Sequence, residues 1–204
     1  MAFPNERYDL LNAYELHDVF VGAWCDGLSV AETAARLRAD PDSATACSWA
    51  EIGDGLESLG AGTGVVWIGE QAPGWTQIIQ YEGPHIGMNE PQLKLSEGGA
   101  LLYLGWPLLE TEGAEDLEYV VDGRARTSVS LVDPGERSGP EPDALDRYMD
   151  GLTLDLETPV DEVLDAAFRL VGRVTGRELD ADWLRGSHTR YVIPGAAWDQ
   201  EKWW

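Results

Sequence analysis

Val65-Val66-Trp67-Ile68-Gly69 and Trp75-Thr76-Gln77-Ile78-Ile79-Gln80-Tyr81, either side of Pro73-Gly74, decide the fold. Runs rich in β-branched and aromatic residues, bounded by Gly and Pro, read as strands, and the Pro-Gly pair between them reads as a hairpin turn. In the second run Trp75, Gln77, Ile79 and Tyr81 point one way, while Thr76, Ile78 and Gln80 point the other. Downstream, 101–106 is an apolar strand with a central character. Residues 117–121 and 124–132 flank Asp122-Gly123, a pair suited to a type I′ turn, which needs positive φ at both central positions. In the last strand Ala125, Thr127, Val129 and Leu131 alternate with Arg124, Arg126, Ser128 and Ser130.

Upstream of the hairpin the sequence reads as helical. Ala13, Leu16, Phe20, Ala23 and Trp24 recur at helical spacing, which predicts a helix over 8–24 that Gly27 breaks. Ser29 with Glu32 and Ser48 with Glu51 are capping boxes, predicting helices to about 38 and 59, with a further turn at Asp40-Pro41. Gly60-Ala61-Gly62-Thr63-Gly64 then ends the helical part. Downstream of the strands, 133–142 is a Pro/Gly-rich loop and 143–149 a short helix. Thr158, Pro159 and Asp161 open a long helix with the stripe Val160, Val163, Leu164, Ala167, Leu170, Val171 and Val174, ended by Gly176. Asp180 caps a turn through Trp183 and Leu184. The predicted fold class is α+β: a mainly antiparallel sheet of about five strands flanked by N-terminal and C-terminal helices. It forms one domain over 1–204, with helical 1–59, sheet 60–133, helical 140–186 and a tail 187–204.

Charge is the other strong signal. The chain carries 37 Asp and Glu against 14 Lys and Arg, a formal net charge of −23. Between 39 and 123 there are fifteen acids and one base, Lys94. Such a field repels nucleic acid and anionic membrane and attracts cationic partners. With 44 % hydrophobic residues the chain can form a real core, so the acidity does not signal disorder. Twelve Arg against two Lys fits a GC-rich genome, leaving three origins for the acidity: composition, a functional surface, or a salt-loving host.

Catalytic patterns are not found. His17, His85 and His188 have no zinc-ligand spacing, and Cys25 and Cys47 make no metal or redox motif. His85, in Gly83-Pro84-His85-Ile86-Gly87, is the most site-like histidine. The Gly60–Gly64 run lacks the Lys and the strand-to-helix setting of a phosphate loop, and Gly-x-Ser-x-Gly is absent. No cofactor and no metal are expected. The N-terminus shows no signal-peptide pattern and no run is long enough to span a bilayer, so a cytoplasmic location is expected.

Several short pieces resemble one family in their order: Gly27-Leu28-Ser29 with Glu32, Leu95-Ser96 with Gly98, Asp122-Gly123, Asp133-Pro134, Pro142-Asp143-Ala144-Leu145, and Thr175-Gly176-Arg177-Glu178-Leu179 before Trp183-Leu184. By these the chain resembles a domain family of unknown function common in Streptomyces and related actinobacteria. The pieces are caps, turns and core positions, so the resemblance implies a shared fold and no catalytic or binding residue.

The expected function is therefore a non-catalytic acidic protein-binding module that neutralises or regulates a basic partner protein, of the immunity-protein or antitoxin type. No nucleic acid and no membrane partner are expected. The candidate partner-binding residues are Glu110, Glu112, Glu115, Asp116 and Glu118, five acids in a run with no base, and Trp198, Trp203 and Trp204. The acidic run is otherwise a solvated loop, and the tryptophans either dock on their own domain or anchor the partner. The alternative is a small-molecule sensor or enzyme domain with a pocket between sheet and helices.

Overall fold

In a computed structural model the described residues are 6–57, 59–87, 89–106, 116–131, 133, 136–152 and 158–198. They form, in chain order, α1 (Glu6–Ala13), β1 (Phe20–Asp26), α2 (Val30–Arg36), β2 (Asp40–Cys47), β3 (Gly64–Ala72), β4 (Trp75–Glu82) and α3 (Asn89–Leu95). Then come β5 (Ala100–Trp106), β6 (Asp116–Val121), β7 (Arg124–Ser130), β8 (Arg137–Ser138), α4 (Asp146–Met149), α5 (Val160–Thr175), α6 (Ala181–Arg185) and β9 (His188–Ile193). The nine strands make one sheet in the order β2-β9-β3-β4-β1-β5-β6-β7-β8, with every neighbouring pair antiparallel.

This corrects the expectation of about five strands flanked by terminal helices. The region expected to be helical, 1–59, contributes β1 and β2, and the expected tail, 187–204, contributes β9. Each miss has a physical cause. β1 is the run Phe20-Val21-Gly22-Ala23-Trp24-Cys25, which is apolar on both sides, so a helical stripe and a strand alternation fit it equally well. Phe20 and Trp24 enter the core on one face, Ala23 and Cys25 the core on the other. Gly22 permits this crowding, since a Cβ there would come within 2.6 Å of the Phe20 ring.

β2 is a sheet edge and mostly exposed, so it shows no apolar alternation; Pro41 is tolerated because an edge strand leaves some amides unpaired. The second capping box does form at Ser48 and Glu51, but the helix it opens is a single turn, Trp49–Glu51, with Gly53 and Gly55 close behind. β9 opens on His188-Thr189-Arg190, which reads as surface. It is nonetheless inserted between β2 and β3, and Arg190 Nη1 donates to the Ile52 and Asp54 carbonyls at 3.0 and 2.7 Å.

Where turn chemistry is explicit, the elements follow it. β3 and β4 pair around Pro73-Gly74, and β6 and β7 pair around Asp122 (φ 50°) and Gly123 (φ 69°), both left-handed as a type I′ turn requires. Ser29 and Glu32 form the box that starts α2. Gly176, at φ 86°, ends α5.

Both faces of the sheet are covered. On one, Phe20, Trp24, Trp67, Ile79, Leu104 and Trp106 pack against Leu164, Ala167, Phe168 and Val171 of α5 and Trp183 of α6. Phe20 stacks on Trp106 with centroids 4.9 Å apart, and Phe168 meets Phe20 edge-on at 5.2 Å. On the other face, Cys25, Val66, Ile68, Ile78 and Leu101 pack against Leu37, Ile86, Leu95 and Trp198. Burial on both sides explains why the central strands are near-continuous apolar runs. Each such side chain stabilises the fold by roughly 1.5–3 kcal/mol.

Candidate functional site

Of the expected partner-binding residues, Glu110, Glu112, Glu115, Trp203 and Trp204 lie outside the described residues. Asp116, Glu118 and Trp198 are described, and the fold does not bring them together. The two acids are on β6, near α3; Trp198 follows β9 and packs on Leu37, just past α2. Trp198 is 2 % exposed. Its Nε1 donates to the Leu37 carbonyl at 2.9 Å, and the Arg38 guanidinium lies 3.9 Å from its ring centroid. This tryptophan docks on its own domain and is not available as a partner anchor.

Asp116 and Glu118 are two apart on a strand and so share a face. Glu118 stands opposite Tyr103 on β5 and Ser128 on β7; Asp116 stands opposite Gly105 and Ser130. The Tyr103 hydroxyl fits because Gly105 and Gly87 have no side chain, and a Cβ on Gly105 would run into it. All three groups are held in their neutral direction. Burial raises the Glu118 pKa, and the Asp116 carboxylate raises it further, against a hydrogen bond from Gln92. Burial also raises Asp116, Glu136 adds to this, and a Ser128 hydrogen bond opposes it. Tyr103 is pushed up by burial and then by the two carboxylates, so its phenol stays protonated.

Chemically this is a half-buried pair of carboxylates beside a tyrosine, short of positive charge. A cation placed against it would reverse the mutual repulsion and let both acids ionise. Among the described residues no group of three or more His, Cys, Asp or Glu is placed to hold a metal ion. Sequence reading reached Asp116 and Glu118 through the acidic run but missed Tyr103, Gln92 and Ser128. Only the β5–β6–β7 register, set by the Asp122-Gly123 turn, brings these side chains together.

Among the described residues seven basic side chains face carboxylates. Arg38 meets Glu90, Lys94 meets Glu97, Arg126 meets Glu141 and Arg137 meets Asp146. Arg169 meets Asp165, Arg177 meets Asp180 and Arg185 meets Asp182. Exposed pairs add little stability, about 0–1 kcal/mol each. Their consequence here is that the surplus of acids finds little counter-charge within the chain.

His17 and His85 pack against their neighbours. His17 contacts Asp18 at 3.1 Å and meets Tyr8 edge-on. His85 is fully buried in the turn His85–Gly87, in room left by Gly64 and Gly83, and burial lowers its pKa. Both cysteines are buried free thiols. No helix among the described residues is long and apolar enough to cross a membrane.

The chain belongs to the Family of unknown function (DUF6461), whose model matches residues 11–195. The matched span runs from within α1 to just past β9 and stops short of Trp198. No match is found among curated proteins or among solved structures.

Proposed function

We propose that this chain is a non-catalytic acidic binding module that captures a basic protein and neutralises or regulates it. The single observation that carries the reading is the Asp116–Glu118 pair on β6. Burial raises the proton affinity of both half-buried carboxylates, Asp116 raises that of Glu118 further and Glu136 that of Asp116, and a lysine or arginine from a partner would relieve both. The net charge of −23 adds long-range steering, which speeds encounter with a cationic surface more than it holds the complex together. Glu110, Glu112 and Glu115, which precede β6 in sequence, add to the negative charge in this reading.

An immunity protein or antitoxin in an actinobacterial cytoplasm is the setting that best suits such a module, with a basic toxin as the partner. The test is capture by the immobilised chain of a basic protein from lysate of its own cell, or of a toxin encoded beside it. Binding at low salt, released by high salt and abolished by Asp116→Asn with Glu118→Gln, supports the reading. A chain that emerges without a partner at low salt, and leaves neighbouring toxins fully active, sinks it.

A further inference from the structure

Trp49, Trp67, Trp106, Trp183 and Trp198 each donate the indole N–H to a backbone carbonyl, at 2.9–3.1 Å. Trp24 does not. It is fully buried on β1, and its Nε1 has no hydrogen-bond partner among the described residues. Directly opposite it on β4 is Gln77, also fully buried, with neither Oε1 nor Nε2 partnered among the described residues. Buried polar groups in folded proteins are nearly always satisfied, so two adjacent exceptions call for a cause.

The neighbourhood supplies more of the pattern. The residue opposite Gln77 on its other side is Gly69 of β3. The His188 ring fills the space over Gly69, and any Cβ on Gly69 would collide with His188 Nδ1. His188 Nε2 lies 2.9 Å from the Trp183 carbonyl, which can only accept, so Nε2 carries the hydrogen and Nδ1 is left as an acceptor. Flat rings pack beside these groups: Trp183 stacks on His188 with centroids 4.1 Å apart, and Phe168 stands edge-on to Trp24 at 6.3 Å.

We propose that Trp24, Gln77 and His188 form a buried binding site for a small, neutral, planar molecule of amide or nitrogen-heterocycle type. Its carbonyl or ring nitrogen would accept from Trp24 Nε1 and Gln77 Nε2, and its N–H would donate to Gln77 Oε1 or His188 Nδ1. A charged ligand does not fit, because burial already disfavours charge on His188 itself. One water is too few. The Trp24 indole N–H and the two Gln77 amide hydrogens are three donors, more than the two hydrogen bonds that one water oxygen accepts. Holding such groups unmet costs stability, the pattern expected where a site is kept for a ligand. The site lies under α5 and α6 and is separate from the acids of β6, so it stands or falls independently of the capture of a basic protein.

The test uses the full chain and two probes, nicotinamide and uracil. The Trp24 indole resonance is assigned by its loss in Trp24→Phe and followed in nitrogen–proton correlation spectra as each probe is added to millimolar concentration. The expected result is a saturable shift of the Trp24 signal with at least one probe, while the Trp198 signal stays in place. Gln77→Leu should then weaken that probe at least tenfold. Trp24→Phe, which keeps the ring but not the donor, should weaken it by a similar factor, measured by calorimetry; it serves if the Leu variant does not fold. A Trp24 signal unmoved by both probes overturns the proposal. So does a crystal structure soaked with both in which Trp24 Nε1 bonds only to Gln77 or to ordered water.

Discussion

His188 stacks on Trp183, with ring planes 24° apart, and bonds that same residue's carbonyl through Nε2 at 2.9 Å. Trp67 closes the other side edge-on at 4.4 Å. An imidazolium here would be a charge between two indole rings, so burial lowers the pKa; the Trp183 carbonyl opposes this and Arg177 adds to it. The folded pKa therefore lies below the unfolded value of about 6.5. The resulting stability is complete above that value and is lost as pH falls through the folded pKa. Replacing His188 with Gln should lower stability at pH 7.5 by about 1–2 kcal/mol, through lost stacking and packing. It should also flatten the decline between pH 6.5 and 5, in urea melts read at several pH values. A variant whose decline is as steep as the parent's removes His188 from the acid response.

Asp116 and Glu118 act in the opposite sense. Their folded pKa values are raised, so their favourable contribution is present below the unfolded values and is lost as pH rises through the folded ones. At neutral pH the pair is a local liability. Asp116→Asn with Glu118→Gln should stabilise the free chain at pH 7 by roughly 0.5 kcal/mol, allowing for solvent screening. The gain should shrink as pH approaches 4. Equal melting temperatures for parent and variant at pH 7 would mean that the two charges do not strain the fold.

Trp198 separates a structural tryptophan from a binding one. It is 2 % exposed, bonded to Leu37 and covered by Arg38. Trp198→Ala should cost about 3–5 kcal/mol, the range for large aromatic truncations in a core. Trp198→Phe, which keeps the ring but leaves the Leu37 carbonyl without its donor, should cost about 1–3 kcal/mol. Chemical denaturation of both variants checks this. A stable Ala variant with weakened partner binding would return Trp198 to the interface.

The parts of this fold that were legible in the sequence are those where local chemistry dictates the backbone. The Pro73-Gly74 and Asp122-Gly123 turns, the Ser29–Glu32 box and the Gly176 helix end all act over three or four residues. What was not legible depends on long-range pairing. Phe20–Asp26 has no period of its own because both its faces are buried, and the partners that make it a strand are 49 to 86 residues away, Gln77 and Trp106 among them. His188–Ile193 reads as polar surface until β2 and β3 are placed beside it. The same limit applies to the sites. Asp116 and Glu118 were visible as charge, whereas Tyr103 joined them only through register. Nothing in the isolated sequence marks Gln77 as buried and unsatisfied, since alternation alone places it as readily at a surface.

The acidic surface makes its sharpest prediction in kinetics. Steering by exposed charge acts over the Debye length, which shrinks from about 10 Å at 0.1 M salt to about 3 Å at 1 M. Association with a basic partner should therefore slow steeply as salt rises. Dissociation depends on short-range contacts made after docking and should change less. Glu112→Ser, Glu115→Ser and Asp116→Ser together should lower the association rate by about tenfold at low salt, a modest share of the range over which steering acts. The dissociation rate should rise by less. Deleting Trp203 and Trp204, the remaining candidate apolar anchors, should do the reverse and speed dissociation, since aromatic anchors dominate the short-range energy of interfaces. Both rates, measured by surface capture of the chain against its captured partner at four salt concentrations, distinguish these contributions. An association rate indifferent to salt and to the three serines would mean that the fifteen acids between 39 and 123 reflect composition and steer nothing.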